Sequence, residues 1–116
     1  MEKGGSILVV EDDAALRMVC RVNLELDDFR VREADSVEEA RAAIAEERPA
    51  LVFLDLQLGR TASDELLAEL LAAAIPVVLV SGSIDVSEYE NRASAVMPKP
   101  FEPSALVEAA RLYSVG

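Results

Sequence analysis

Five short apolar runs, separated by stretches with helical periodicity, constrain this chain more than any other feature. The runs are Ile7-Leu8-Val9-Val10, a weaker alternation of Phe29, Val31 and Glu33, Leu51-Val52-Phe53-Leu54, Val77-Val78-Leu79-Val80 and Ala95-Val96-Met97. A strand apolar on both faces has no side to show to water, so both faces must be covered. Such strands alternating with helices imply a parallel sheet between two helical layers. Right-handed crossovers then predict a doubly wound α/β fold.

The intervening segments carry helix signals. Ala14 to Leu26 reads as an amphipathic helix with Leu16, Val19, Cys20 and Asn23 on one face. Ser36-Val37-Glu38-Glu39 has the form of a capping box and opens a helix to about Glu47. Leu66, Leu67, Leu70 and Leu71 predict a helix from about Asp64 to Ala73, and a short one capped by Asp85 is expected near Val86 to Arg92. Pro103 suits the first turn of a last helix ending near Tyr113, with Leu106, Val107 and Ala110 inward.

At 116 residues, one domain over residues 1–116 is expected. No apolar run approaches the roughly 18 residues of a membrane span. The first residues are too few and too polar for a signal peptide. Cys20, the single cysteine, has no partner for an internal disulfide, so a reducing, cytoplasmic setting is expected. Lys and Arg total 11 against 22 for Asp and Glu, a formal charge of -11. That balance disfavours nucleic acid, whose binding relies on basic groups displacing counterions, and anionic membranes. Divalent cations and basic protein surfaces suit it better. The chain has no histidine, which excludes Ser-His-Asp catalysis and histidine-rich zinc sites.

In a doubly wound sheet, ligands bind beyond the carboxyl ends of the strands. The first strand ends in Glu11-Asp12-Asp13, the third in Asp55, the fourth in Ser81-Gly82 and the fifth in Pro98-Lys99-Pro100. Taken singly, these are a solvated turn, a cap, a turn and an exposed loop. All of them fall at the same end of their strands, however, which sets acids, a hydroxyl and an amine around one crevice. Two carboxylates about 4 Å apart repel by several kcal/mol at an effective dielectric near 20. A hard divalent cation such as magnesium resolves that conflict. Asp55 can then act as a carboxylate nucleophile toward a phosphoryl group. The Lys99 amine balances charge, the Ser81 hydroxyl donates to a phosphoryl oxygen, and Gly82 leaves room for entry.

Ile7 to Asp13, Leu54-Asp55-Leu56, Val80-Ser81-Gly82 and Lys99-Pro100-Phe101 together resemble the receiver domain of response regulators, and the similarity runs from Ile7 to about Tyr113. The resemblance implies a flavodoxin-like five-stranded parallel sheet of order 2-1-3-4-5. It implies that Asp55 accepts phosphate and that Asp12 binds Mg2+ (or Mn2+) directly, with Glu11 beside it. It implies Asp55 and the backbone carbonyl of Gln57 as further metal ligands. Leu56, Ser81, Gly82 and Lys99 correspond to phosphate-binding positions, Gln57 and Ser83 to positions that tune hydrolysis, and Lys99-Pro100 to a cis peptide. The implied donor is a phosphohistidine on a sensor histidine kinase or histidine phosphotransfer protein. The implied output is a conformational change read by a downstream protein target, from a monomer or weak dimer.

Several positions depart from the usual family pattern. Gly59 and Ser63 replace a usual Pro and Gly, so the 59–63 loop is expected to differ in shape. Val96 stands where an inward-rotating aromatic is common. Ser81 and Lys99 are only 18 positions apart, so the helix between them should be reduced. These features, with a chain ending at Gly116, resemble a subgroup of stand-alone receivers. An aspartyl-phosphate phosphatase of the haloacid dehalogenase type is the enzymatic alternative, but it needs a second acid where Gln57 stands. Self-phosphorylation and slow self-hydrolysis, rather than enzymatic turnover, are therefore expected.

Overall fold

The computed structural model describes residues 5–56, 60–82 and 93–114. In chain order the elements are β1 (Ile7–Val10), α1 (Ala14–Leu26), β2 (Val31–Ala34), α2 (Val37–Glu46), β3 (Leu51–Asp55), α3 (Arg60–Ala72), β4 (Val77–Ser81), β5 (Ala95–Pro98) and α4 (Pro103–Tyr113). The five strands form one sheet of order β2-β1-β3-β4-β5. Every pairing is parallel, as the sequence predicts. The expected helix near Val86 to Arg92 lies outside the described residues.

Strand alternation divides the core in two. Leu8, Val10, Val52, Leu54, Val77 and Leu79 face Val37 and Ala40 of α2 and Leu66, Leu67 and Leu70 of α3. Ile7, Val9, Leu51, Phe53, Val78, Val80 and Met97 face Cys20 and Leu24 of α1 and Leu106, Ala109 and Ala110 of α4. Continuing that alternation past the strand ends puts Glu11, Asp55 and Lys99 on the α1 and α4 side. Three charged groups of one crevice thus share one face by simple parity.

Local signals explain most of the boundaries. Asp13 caps α1, its Oδ1 accepting from the N–H groups of Ala15 at 3.0 Å and Leu16 at 3.3 Å. Ser36 caps α2 by accepting from Glu39 N–H at 3.1 Å, while the Glu39 carboxylate reaches back to Asp35 N–H at 2.8 Å. Pro103 sits in the first turn of α4.

Three expectations need correction. The buried face of α1 comprises Cys20 and Leu24, with Leu16 half-buried, whereas Val19 is 39% exposed. Asn23 is half-buried and turns its Nδ2 onto the Val19 carbonyl at 2.8 Å. The helix seats through i, i+4, i+8 spacing, so the neighbouring Val19 and Asn23 rotate off the core. Helix α3 starts at Arg60, four residues before the expected Asp64, so most of the anticipated 59–63 loop is its first turn. That turn lacks the leucines that signal the rest of the helix. Phe29 is buried but precedes β2, which begins at Val31.

Candidate functional site

The strands carry the site to its place. Val10 pairs with Leu54 and Asp55 with Val80, while Ser81 pairs with Pro98. Register therefore brings Glu11, Asp55, Ser81 and Lys99 to one edge of the sheet. Asp55 is 1% exposed, Ser81 2% and Glu11 4%, whereas Asp12 is exposed at the mouth. Carboxylate oxygens of Glu11, Asp12 and Asp55 lie within 4.8 Å of one another. The Lys99 Nζ donates to Glu11 Oε1 at 3.0 Å and pairs with Asp55 Oδ2 at 3.3 Å. The Lys99-Pro100 peptide is cis, as the resemblance implies.

Burial dominates the electrostatics. Glu11 is pushed up to about 7, first by desolvation and further by the neighbouring Asp55, although the Asp13 N–H and Lys99 pull it back. Desolvation by itself would lower Lys99, but the hydrogen bond to Glu11 and the charge of Asp55 outweigh it, so the ammonium is held above its ordinary value. The pocket holds more acid than a single lysine can balance. Oxygen-only donors of this kind fit a hard divalent cation such as Mg2+.

The structure brings together Glu11, Asp12, Asp55, Ser81 and Lys99. Gly82 follows Ser81 and is exposed at the same edge. The Lys99 N–H donates to the Ser81 carbonyl at 2.8 Å, which locks the ends of β4 and β5 together. The Leu56 N–H donates to the Val80 carbonyl at 3.0 Å, and its side chain packs on the α2–α3 core. Gln57 and Ser83 lie outside the described residues.

Sequence reasoning passed over three neighbours. Ser63 on α3 is fully buried, with its hydroxyl 3.4 Å from the Asp55 carbonyl. Arg17 on α1 donates through Nη1 to the Glu11 carbonyl at 2.8 Å. Cys20 lies beneath the acids, in a small cavity also lined by Glu11, Phe53 and Asp55. Burial and the charge of Glu11 push its thiol up to about 11, which keeps it protonated and unreactive. The inner face expected of the first helix included Cys20, and Ser63 was noted only as a departure from the family pattern; nothing in the sequence pointed to Arg17.

Comparison with known proteins agrees with this geometry. The response regulator receiver domain family matches residues 7–111. The phosphate regulon transcriptional regulatory protein PhoB of Pseudomonas aeruginosa is 34% identical over 97% of this chain and 52% of its own length. This chain thus spans about half of that relative. The receiver domain of NtrX from Brucella abortus superposes with a TM-score of 0.82 at 31% identity, over 93% of this chain and 97% of that one. A CheY-like receiver domain protein from Methanospirillum hungatei gives a TM-score of 0.82 at 28% identity, over 93% and 91% of the two chains. Such a match spans nearly the whole sequence, and the chain belongs to the response regulator receiver domain family.

Proposed function

We propose that Asp55 is the phosphoryl acceptor of this receiver, and that Asp12, Glu11, Asp55 and the Gln57 carbonyl hold the Mg2+ (or Mn2+) that assists it. The observation that carries this reading is the convergence of three carboxylates within 4.8 Å, with the Lys99 ammonium 3.0 Å from Glu11 and 3.3 Å from Asp55. Bound in this pocket, the cation would neutralise charge on the incoming phosphoryl group.

An Asp55 carboxylate oxygen attacks the phosphorus of a phosphohistidine donor and forms an acyl phosphate. The phosphorus–nitrogen bond breaks, and the donor imidazole keeps the electron pair. Lys99 stays charged throughout and offsets the added negative charge. The Ser81 hydroxyl donates to a phosphoryl oxygen, and Gly82 offers an entrance without a side chain in the way. Gln57 and Ser83 adjust how fast water removes the phosphoryl group. The chain has no histidine of its own to carry phosphate, so a histidine kinase or phosphotransfer protein loads it. A downstream protein reads the change. Among the described residues no helix is long and apolar enough to cross a membrane, which agrees with work in the cytoplasm beside such partners.

Incubation with acetyl phosphate and Mg2+ should add one phosphoryl group, detected by mass spectrometry as a base-labile acyl phosphate. Chelation of the metal and Asp55→Asn should each abolish the modification. A phosphoryl group still carried by the Asp55→Asn chain would overturn the assignment.

A further inference from the structure

We propose that Arg17 is a positioning residue for the metal pocket, holding the Glu11–Asp12 peptide in place by tying its carbonyl to Glu33 on β2. The inference rests on the metal reading above and extends it to a residue outside the crevice. Three neighbouring backbone groups are held by other means. The Glu11 N–H donates to the Ala34 carbonyl at 3.0 Å, the Asp13 N–H to Glu11 Oε2 at 3.1 Å, and the Asp13 carbonyl accepts from Arg17 N–H at 2.9 Å. The peptide between Glu11 and Asp12 is held, among the described residues, by the Arg17 guanidinium at 2.8 Å.

That peptide matters because Asp12 is exposed. Its backbone alone must aim its carboxylate at the pocket, and rotation of the 11–12 peptide would swing Asp12 away from Glu11 and Asp55. The guanidinium is itself anchored. Arg17 Nε pairs with Glu33 Oε1 at 3.1 Å, and Arg21 Nε pairs with Glu33 Oε2 at 3.1 Å. Arg21 also reaches Glu25 at 3.2 Å. A planar fork can serve the carbonyl and Glu33 together, which a lysine ammonium on a flexible stem does poorly. Residues that orient a metal's ligands typically change its affinity by about 10- to 100-fold.

Charge alone predicts the opposite sign. Removing a cation beside an acidic pocket should tighten a divalent cation, so weaker binding identifies positioning. Calorimetric titration of the full chain with Mg2+, with metal-free melting recorded alongside, should show about a tenfold loss of affinity in Arg17→Ala. Arg17→Lys, which keeps the charge and loses the planar fork, should recover only part of it. Should Arg17→Ala fail to fold, Arg17→Lys decides the matter, since charge alone predicts native affinity for it. Unchanged or tighter Mg2+ binding in the folded variants, even with a lowered melting temperature, would overturn the proposal. A flat titration of the native chain would instead remove the metal reading itself, and this inference with it.

Discussion

Asp55 stands 1% exposed at the end of β3, with the Glu11 carboxylate in the same pocket and the Lys99 ammonium 3.3 Å away. A buried carboxylate pays desolvation and repulsion together, and a shared lysine returns only part of that cost. Asp55→Asn keeps the shape and removes the charge, leaving Lys99 to Glu11 alone. The metal-free variant should therefore be more stable than the native chain, by on the order of 1 kcal/mol after screening. Urea unfolding in the presence of chelator measures this, and a neutral or destabilising result would show that the acids do not strain the pocket. Glu11, Asp55 and Lys99 were readable because each follows or closes an apolar run at the same end of its strand. Arg17 and Ser63 were not, since contacts to a carbonyl on another element leave no local pattern.

Helix α1 is apolar beyond the face it buries. Met18 is 52% exposed, Val22 41% and Leu26 79%, at four-residue spacing and therefore along one outer stripe. This stripe starts beside the acid crevice, because Asp13 caps the same helix. An exposed apolar stripe next to a charged pocket is how a protein donor could seat itself while presenting its phosphohistidine. Val22→Glu should slow transfer from a protein phosphodonor about tenfold, as loss of a central apolar contact does. The rate with acetyl phosphate, which needs no docking, should stay as in the native chain. Equal slowing with both donors would count against α1 as the landing face. Core strands were legible because continuous apolar runs admit few alternatives. The seam of α1 was not, because Val19, Val22 and Leu26 are as apolar as the residues it buries. The start of α3 was hidden for a related reason: its first turn packs Ser63 rather than a leucine.

The two half-cores meet across a sheet whose carboxyl edge carries the buried acids, so their titration bears on the stability of the whole molecule. Glu11, ordinarily near 4.5, is pushed up to about 7 in the folded chain. A folded state that binds its proton more tightly than the unfolded one gains stability from protonation. The contribution is fully present below about 4.5 and is lost as pH rises through about 7. With no histidine in the chain, few other side chains titrate in that window. Metal-free protein should therefore resist urea better at a pH of about 6 than at about 8. Mg2+ should reverse the trend, because a ligand carboxylate must lose its proton before it can bind. The metal's stabilisation should then grow with pH, reaching roughly 2.7 kcal/mol at a hundred times its dissociation constant. Unfolding curves at both pH values, with chelator and with Mg2+, separate the two effects. Metal-free stability that stays level or climbs between them would mean that Glu11 is not held protonated by its burial.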